Sequence, residues 1–400
     1  MSHSILAPSS ADVWFECAGS VLMSAMFPEA ETDETREGTA AHWVAAAILR
    51  EWKDAGTSAP IMHSQYLGQP DPAGAIITNA MLEGAEMYAR EIAFVCDEYG
   101  WGYLHIEDMV AAPQVHEQSY GTCDAWAYFP QVIRLHIWDF KFGHLDVPAF
   151  ENKQLLNYYA GISNELGGNF NEPEAVVVMQ AVQPRCFTHN GPIKEWEVSA
   201  TDLRGWVNQL NAAAHAALGP DPLTTSGKQC RYCPARHGCK SARDAAMAGV
   251  DYIHRVIPDV LTDDAVSYEL ATLTDASKAI AYRLDAIKEE AAGRLMAGKV
   301  IPGFRMEAGS GNRKWTQDAG AIVALGSLMG ANLLKDPEAV TPAEAGKRLR
   351  AVIQPNGKKL TEKAAEAMLD TLVSRPSSGM KVVQDSGTEA RRIFYQLNHP

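Results

Sequence analysis

The chain has 400 residues, 46% hydrophobic and 21% charged. That composition excludes a disordered or collagen-like polypeptide, and at about 100–200 residues per domain the length implies two or three domains. The net charge of −14 argues at first sight against a nucleic-acid partner, but it is unevenly spread. Residues 1–245 hold 15 Lys+Arg against 30 Asp+Glu, a net of −15, while residues 246–400 hold 20 against 19, a net of +1. An acidic first part also suits a site that gathers carboxylates around a divalent metal. No run of 18 apolar residues marks a transmembrane helix, and MSHSILAPSS lacks the basic and apolar regions of a signal peptide. Seven cysteines, an odd number, do not read as a disulfide framework. A reducing cytoplasm is the expected setting, where clustered cysteines more often bind metal or do chemistry.

In chain order, Ser9 and Ser10 are cap candidates for one helix over residues 11–27. The polar stretch FPEAETDETREG breaks the pattern before a second helix over TAAHWVAAAILREW. Residues 55–72 read as a loop. From 73 to 98, Ile77, Met81, Ala85, Tyr88, Ile92 and Val95 recur at helical spacing. LHIEDMVAAP, TCDAWAYFP and VIRLHIWDFK then predict an antiparallel meander, with Asp124 on its second strand and Asp139 ending its third. NKQLLNYYAGISNEL predicts a helix, EAVVVMQAVQP a buried strand and IKEWEVSA a shorter one. TDLRGWVNQLNAAAHAAL reads as a helix capped by Thr201. The order implies an α/β core with N-terminal helices. A domain boundary is expected at 243–262, dividing residues 1–245 from a mainly helical accessory region, 246–400. That region opens on a long helix, continues with VIPGFRMEAGSGNRKW as a strand, turn and basic tip, and ends in a polar tail over 376–400.

The chemistry concentrates in YGTCDAWAYFPQVIRLHIWDFKFGH. A short connection at Tyr128–Gln131 makes the last two meander strands hairpin neighbours, so Asp124 and Asp139 can converge at one sheet end. Phosphodiester hydrolysis needs a cation to polarise the phosphoryl oxygen and activate water, and hard carboxylate oxygens suit Mg²⁺ or Mn²⁺. Strand alternation puts Asp139 and Lys141 on one face. Taken alone, D-x-K is more often a surface ion pair at a strand end. His42 offers an imidazole ligand, or is a partly buried helix histidine. Gln154 and Tyr158, four apart, share a helix face and could position phosphate or water, or pack as ordinary helix residues. The carbonyl of Phe140 is a further candidate ligand. Glu107 ranks lower, and Glu51 reads as a solvated helix residue.

The ordered set Gly38-Thr39-Ala40-Ala41-His42, Gly121-Thr122-Cys123-Asp124, Asp139-Phe140-Lys141 and Gln154 with Tyr158 resembles the PD-(D/E)XK nuclease superfamily, in its RecB-like branch. The resemblance spans residues 8–245. It implies a restriction-endonuclease-like core, a central mixed sheet flanked by helices. It also implies metal held by His42, Asp124, Asp139 and Phe140, with Lys141, Gln154 and Tyr158 serving catalysis.

Residues 230–240 read CRYCPARHGCK, which spaces Cys230, Cys233 and Cys239 as C-x-x-C-x-x-x-x-x-C. Three thiolates are one short of a full set, and Cys17 can supply the fourth. One early and three late cysteines resemble AddB-type and CRISPR-associated RecB-like nucleases, which implies a structural 4Fe–4S cluster. Zinc, with His237 in place of Cys17, and free buried thiols are the alternatives. Cys96, Cys123 and Cys186 read as core residues.

In the last third, Arg305, Arg313, Lys314 and Trp315 combine charge with an aromatic, as a single-strand contact would, or form a solvated hairpin tip. The expected function is a metal-dependent DNA nuclease, with exonuclease action favoured, in phage recombination or DNA-end processing. DNA is the expected partner, together with a single-strand-binding or recombination protein. The expected location is the cytoplasm of a bacterium or phage-infected cell. The competing readings are a non-cleaving DNA-binding or scaffolding module and a zinc-stapled RNA-binding protein. The P-loop pattern of an ATP-driven motor is not found in the sequence.

Overall fold

The computed structural model describes residues 4–335 apart from 28–31, 59–62, 172, 187–190, 253–261, 311–313 and 316–318, and shorter stretches from 338 to 384. Two compact units are present, residues 1–284 and 285–400. The boundary expected at 243–262 falls in part on residues outside those described.

The first unit is built on a five-stranded mixed sheet in the order β1-β2-β3-β4-β5. Strands β1 (Leu104–Ala111), β2 (Tyr120–Phe129) and β3 (Arg134–Phe140) form the antiparallel meander that the sequence implies. β4 (Val176–Val182) runs parallel to β3, and β5 (Ile193–Ser199) antiparallel to β4. A parallel neighbour requires a crossover, and α5 (Lys153–Leu166) makes it. The crossover carries the chain from the Asp139 end of β3 back to the start of β4, so α5 begins beside the candidate site.

Both faces of the sheet are covered. Trp126, Leu135, Ile137 and Met179 bury against α5 and α6 (Ala200–Ala217), through Leu155, Leu156, Leu203 and Leu210. On the other face Ala127, Phe129, Trp138 and Phe140 bury against α3 (Asp33–Ala55) and α4 (Asn79–Tyr99), through Val44, Ile48, Met81 and Ile92. Each large side chain so buried contributes about 1.5–3 kcal/mol relative to exposure. Alternation along β2 and β3 therefore supplies two cores at once. Gly161 lets α5 lie close on β1, since a Cβ there would stand 2.3 Å from Val110 Cγ1 and 2.8 Å from the Ala111 carbonyl.

Several helix ends differ from the sequence reading. The helix expected over 11–27 is two, α1 (Ala11–Glu16) and α2 (Ser20–Ala25), broken at Cys17, whose backbone is extended at φ −143° and ψ 94°. α3 starts at Asp33, well before Thr39. Thr32 accepts the Thr35 N–H at 3.2 Å, and Asp33 and Glu34 face the positive helix end. α4 begins only after Thr78, which accepts the Met81 N–H at 3.3 Å. The cap of α6 is Ser199 rather than Thr201.

After α6, two short 3₁₀ turns, Lys228–Tyr232 and Pro234–His237, carry the cysteines into α7 (Lys240–Tyr252). The long helix α8 (Asp263–Met296) follows. In the second unit, β6 (Phe304–Ser310) pairs antiparallel with a strand over Ser377–Gln384, so part of the expected polar tail is strand. Lys314–Trp315 pairs with Val373–Ser374, and Arg313 lies outside the described residues. Ile322, Leu333, Leu349 and Leu369 form that unit's small core. Among the described residues, no helix is long and apolar enough to cross a membrane.

Candidate metal centres

The edges of α3, β1, β2, β3 and α5 meet at one end of the sheet. There His42, Glu107 and Asp124 each offer a ligand atom, and all three atoms lie within 4.8 Å of one another. His42 Nδ1 is 3.3 Å from Asp124 Oδ1 and 4.0 Å from Glu107 Oε1. One imidazole nitrogen and two carboxylates suit a divalent cation of the Mg²⁺ or Mn²⁺ kind. Glu107, ranked low from sequence, is thus central. It stands opposite Asp124 in the β1–β2 register, flanked by Ile106↔Ala125 and Asp108↔Cys123. Its φ of 50° is a left-handed value that glycine favours. Non-glycine residues are held there at a cost, and such strain gathers at functional sites. Knowing the length of the 112–119 connection's turns would have been needed to read that register from sequence.

Asp139 lies beside this group rather than within it. It is 1% exposed. Lys141 Nζ stands 3.0 Å from its Oδ1 and 2.9 Å from its Oδ2. Gln154 Nε2 donates to Oδ1 at 2.8 Å, and Lys141 donates to Gln154 Oε1 at 2.9 Å. Asp139, Lys141 and Gln154 therefore close a triangle. The Phe140 N–H joins it to the first group by donating to Asp124 Oδ2 at 2.7 Å. Asn152 caps α5 by accepting from the N–H groups of Gln154 and Leu155, which fixes where Gln154 projects. Tyr158 is buried, and its hydroxyl donates to the Thr122 carbonyl at 2.6 Å. It ties α5 to β2 two residues before Asp124. Glu51, read as solvated, is half-buried and accepts from Gln65 at 3.0 Å and from the Tyr66 hydroxyl.

Charge follows from this packing. Burial opposes the imidazolium of His42, but Asp124 and then Glu107 outweigh it and push its pKa up to about 9. Burial, with Asp124 adding, raises Glu107 to about 7. Asp124 is held below the usual carboxylate range: burial acts against that, and His42 outweighs it. Burial and the charge of Asp124 raise Asp139 against the pull of Lys141. Burial disfavours the ammonium of Lys141, yet Asp139 and Asp124 hold it charged, above its ordinary pKa. His42 and Glu107 are thus the groups whose protons a bound cation would displace.

The second cluster is made by the cysteines. Cys17, Cys230, Cys233 and Cys239 line one small cavity with Val13, Ala235 and Ala242. The loop before α7 wraps Cys17. Its sulfur accepts the Thr225 N–H at 3.3 Å, the Thr225 hydroxyl donates to the Glu16 carbonyl at 2.6 Å, and the Gly19 N–H donates to the Leu223 carbonyl at 2.8 Å. The Gly227 N–H points at Cys230 Sγ at 3.5 Å. Burial pushes the Cys233 thiol up. His237 packs edge-on against Phe27, ring centroids 4.6 Å apart, and Cys17 rather than His237 lines the cavity. Cys96, Cys123 and Cys186 are buried elsewhere, as core residues.

A crystal structure of a "Putative exonuclease" from Eubacterium rectale is similar to this chain, with a TM-score of 0.31 and 9% identity over 64% of this chain and 90% of that one. The family described as "Protein of unknown function (DUF2800)" matches residues 3–389, nearly the whole chain, and the chain belongs to that family.

Proposed function

We propose that the first unit is a divalent-metal-dependent deoxyribonuclease. The observation that carries this reading is the junction at the sheet end. A three-ligand group, His42, Glu107 and Asp124, adjoins a buried Asp139–Lys141–Gln154 triangle through one backbone N–H. A divalent cation there supplies polarisation of a phosphoryl oxygen and a lowered pKa for bound water. His42, Glu107 and Asp124 hold it, with Asp139 and the Phe140 carbonyl beside them. The remaining work falls to the chain's own groups. Lys141, beside Asp139 and Gln154, is placed to stabilise the negative charge that builds on phosphorus oxygens or to orient the attacking water. Gln154, its amide spread between Asp139 and Lys141, fixes both against rotation. Tyr158 holds α5 at its distance from β2.

The cysteine cavity is proposed to hold a structural 4Fe–4S cluster. Its support is the convergence of four thiols, with backbone N–H groups aimed at two of the sulfurs. The proposed setting is phage recombination or DNA-end processing, with residues 246–400 as an accessory region.

The test uses full-length protein purified without oxygen. Linear and circular DNA are incubated with Mg²⁺, with Mn²⁺ and with EDTA. Cleavage that needs the cation supports the reading, and loss of linear but not circular DNA specifies exonuclease action. Binding without cleavage replaces it with a non-cleaving DNA-binding module. Iron and sulfide analysis gives four irons per chain under the cluster reading, and one zinc without iron replaces it.

A further inference from the structure

Tyr88, on α4, is used by none of the roles above. It is 2% exposed, and its hydroxyl makes no hydrogen bond to any described residue. A phenol O–H stripped of water is costly to leave unpaired, so such a group calls for a partner. Its location says which partner. The Tyr88 ring packs against Phe140, centroids 4.9 Å apart, and the Phe140 ring lies 5.2 Å from the ring of His42. The same Phe140 gives its N–H to Asp124. One turn earlier, Gly84 lets α4 press on this strand end, since a Cβ there would stand 2.9 Å from the Phe142 ring. The Tyr88 ring is thus two ring contacts from His42 and packs on the residue whose N–H holds Asp124. Burial raises its phenol pKa, and Asp124, Glu107 and Asp139 are among the charges that add to the rise.

Resting on the reading of that site as a metal centre, we propose that Tyr88 is a positioning residue for the cation. Its hydroxyl would donate a hydrogen bond to a water retained by a cation that His42, Glu107 and Asp124 hold. Mg²⁺ and Mn²⁺ bound by few protein groups retain several waters, and an outer donor fixes where such a water sits. A phenol keeps its proton at neutral pH, so the group is a donor there. In the metal-free protein the same hydroxyl is a buried donor without a partner. Tyr88 therefore trades stability of the empty site for order in the loaded one.

Tyr88→Phe separates these effects because it removes one oxygen and leaves the ring. The measurements are the melting temperature without metal, its rise with Mn²⁺, the Mn²⁺ affinity by calorimetry, and the cleavage rate at saturating Mn²⁺. The expected result is a metal-free protein that melts about 2–4 °C higher. Its Mn²⁺ affinity is weaker by about tenfold, with a correspondingly smaller Mn²⁺-induced rise in melting temperature. Tyr88→Leu, which loses the ring, is the packing control and melts lower. An Mn²⁺ affinity and Mn²⁺-induced rise in Tyr88→Phe equal to those of the unaltered protein would overturn the assignment. So would a Tyr88→Phe that melts as low as Tyr88→Leu with its affinity intact, which would make the residue structural. An unaltered protein that gains no stability from Mn²⁺ would instead overturn the metal centre itself.

Discussion

The two clusters of the first unit are held by opposite means. At the sheet end, regular elements do the positioning: three strands and two helices aim His42, Glu107, Asp124, Asp139, Lys141 and Gln154, and the side chains then cross-link one another. In the cysteine cavity irregular chain does it: two short 3₁₀ turns and a loop wrap Cys17, and backbone N–H groups reach the sulfurs. The first arrangement is cross-linked by its own side chains, whereas the second rests on loop hydrogen bonds that close over Cys17 from more than 200 residues away. Metal at the sheet end should therefore govern activity, and metal at the cysteines should govern folding. The largest test of that division is at the triangle. Asp139→Asn and Lys141→Ala should each lower the cleavage rate by about 10²–10³ or more, with the fold retained. Full cleavage by Lys141→Ala would remove the lysine from the site.

Next in size is the contrast between cysteines. Cys17 and Cys230 are separated by more than 200 residues. By analogy with a crosslink closing so long a loop, Cys17→Ser should cost about 3–5 kcal/mol of stability and empty the shared centre. Cys186→Ala, at a buried position outside the cavity, should leave iron and sulfide content unchanged. Chemical denaturation and metal analysis of the two variants decide it. Equal metal content in both would take Cys17 out of the set and with it the idea that the cavity staples the N-terminal helices.

The sheet-end site also stores its protons in a readable order. Glu107 is raised to about 7 and His42 to about 9, and each must release its proton before binding metal. Mn²⁺ affinity should accordingly climb about tenfold per pH unit between pH 7 and 9, and more steeply below 7, where both groups compete. Metal-free stability moves the other way. His42, raised above its unfolded value near 6.5, contributes stability that is present below that pH and lost as pH rises through about 9. Both side chains keep about a third of their exposure, 31% and 30%, so solvent screens this contribution and the affinity is the sharper measurement. Calorimetry at several pH values, in buffers of different ionisation enthalpy, counts the released protons. An affinity flat from pH 6 to 9 would mean that the cation avoids His42 and Glu107.

The sheet-end site was legible in the sequence wherever one strand period or one helix turn fixed a spacing. Asp139 and Lys141 share a face because alternation puts them there, and Gln154 reaches them because α5, the next helix after β3, begins at the same sheet end. Glu107 could be ranked only low and Tyr88 read only as a helix residue, since one depends on a two-strand register around a strained residue and the other on how closely α4 approaches the strand end. The break at Cys17 escaped the helical pattern because apolar spacing continues across it. The wrapping by Thr225 and Leu223 that holds it comes from more than 200 residues away. The strand over Ser377–Gln384 escaped for the same reason, its partner being Phe304–Ser310.

The smallest effect concerns the place where the two clusters come closest in sequence logic, the start of α5. Lys153 is 8% exposed, with its ammonium 4.1 Å from the Trp206 ring centroid and 5.0 Å from that of Phe15. It donates to the Glu151 carbonyl at 2.8 Å, one residue before the cap Asn152, and Glu151 itself has a positive φ of 55°. Burial lowers the lysine pKa while Asp12 opposes that shift. The aromatic clamp thus joins α1, which leads into Cys17, to the helix that presents Gln154. Lys153→Met keeps the stem and removes the charge. It should cost about 1–2 kcal/mol of stability and lower the rate only a fewfold, by letting the first turn of α5 shift under Gln154. Lys153→Arg should recover most of both, because a guanidinium stacks on the same rings. The comparison that matters is with Cys17→Ser. If the clamp transmits the state of the cysteine cavity to the sheet end, Cys17→Ser should lower the rate of the protein that remains folded by the same fewfold factor as Lys153→Met, and the double variant should lose no more than either alone. Independent, multiplying losses would mean that the two clusters share a scaffold without communicating through it.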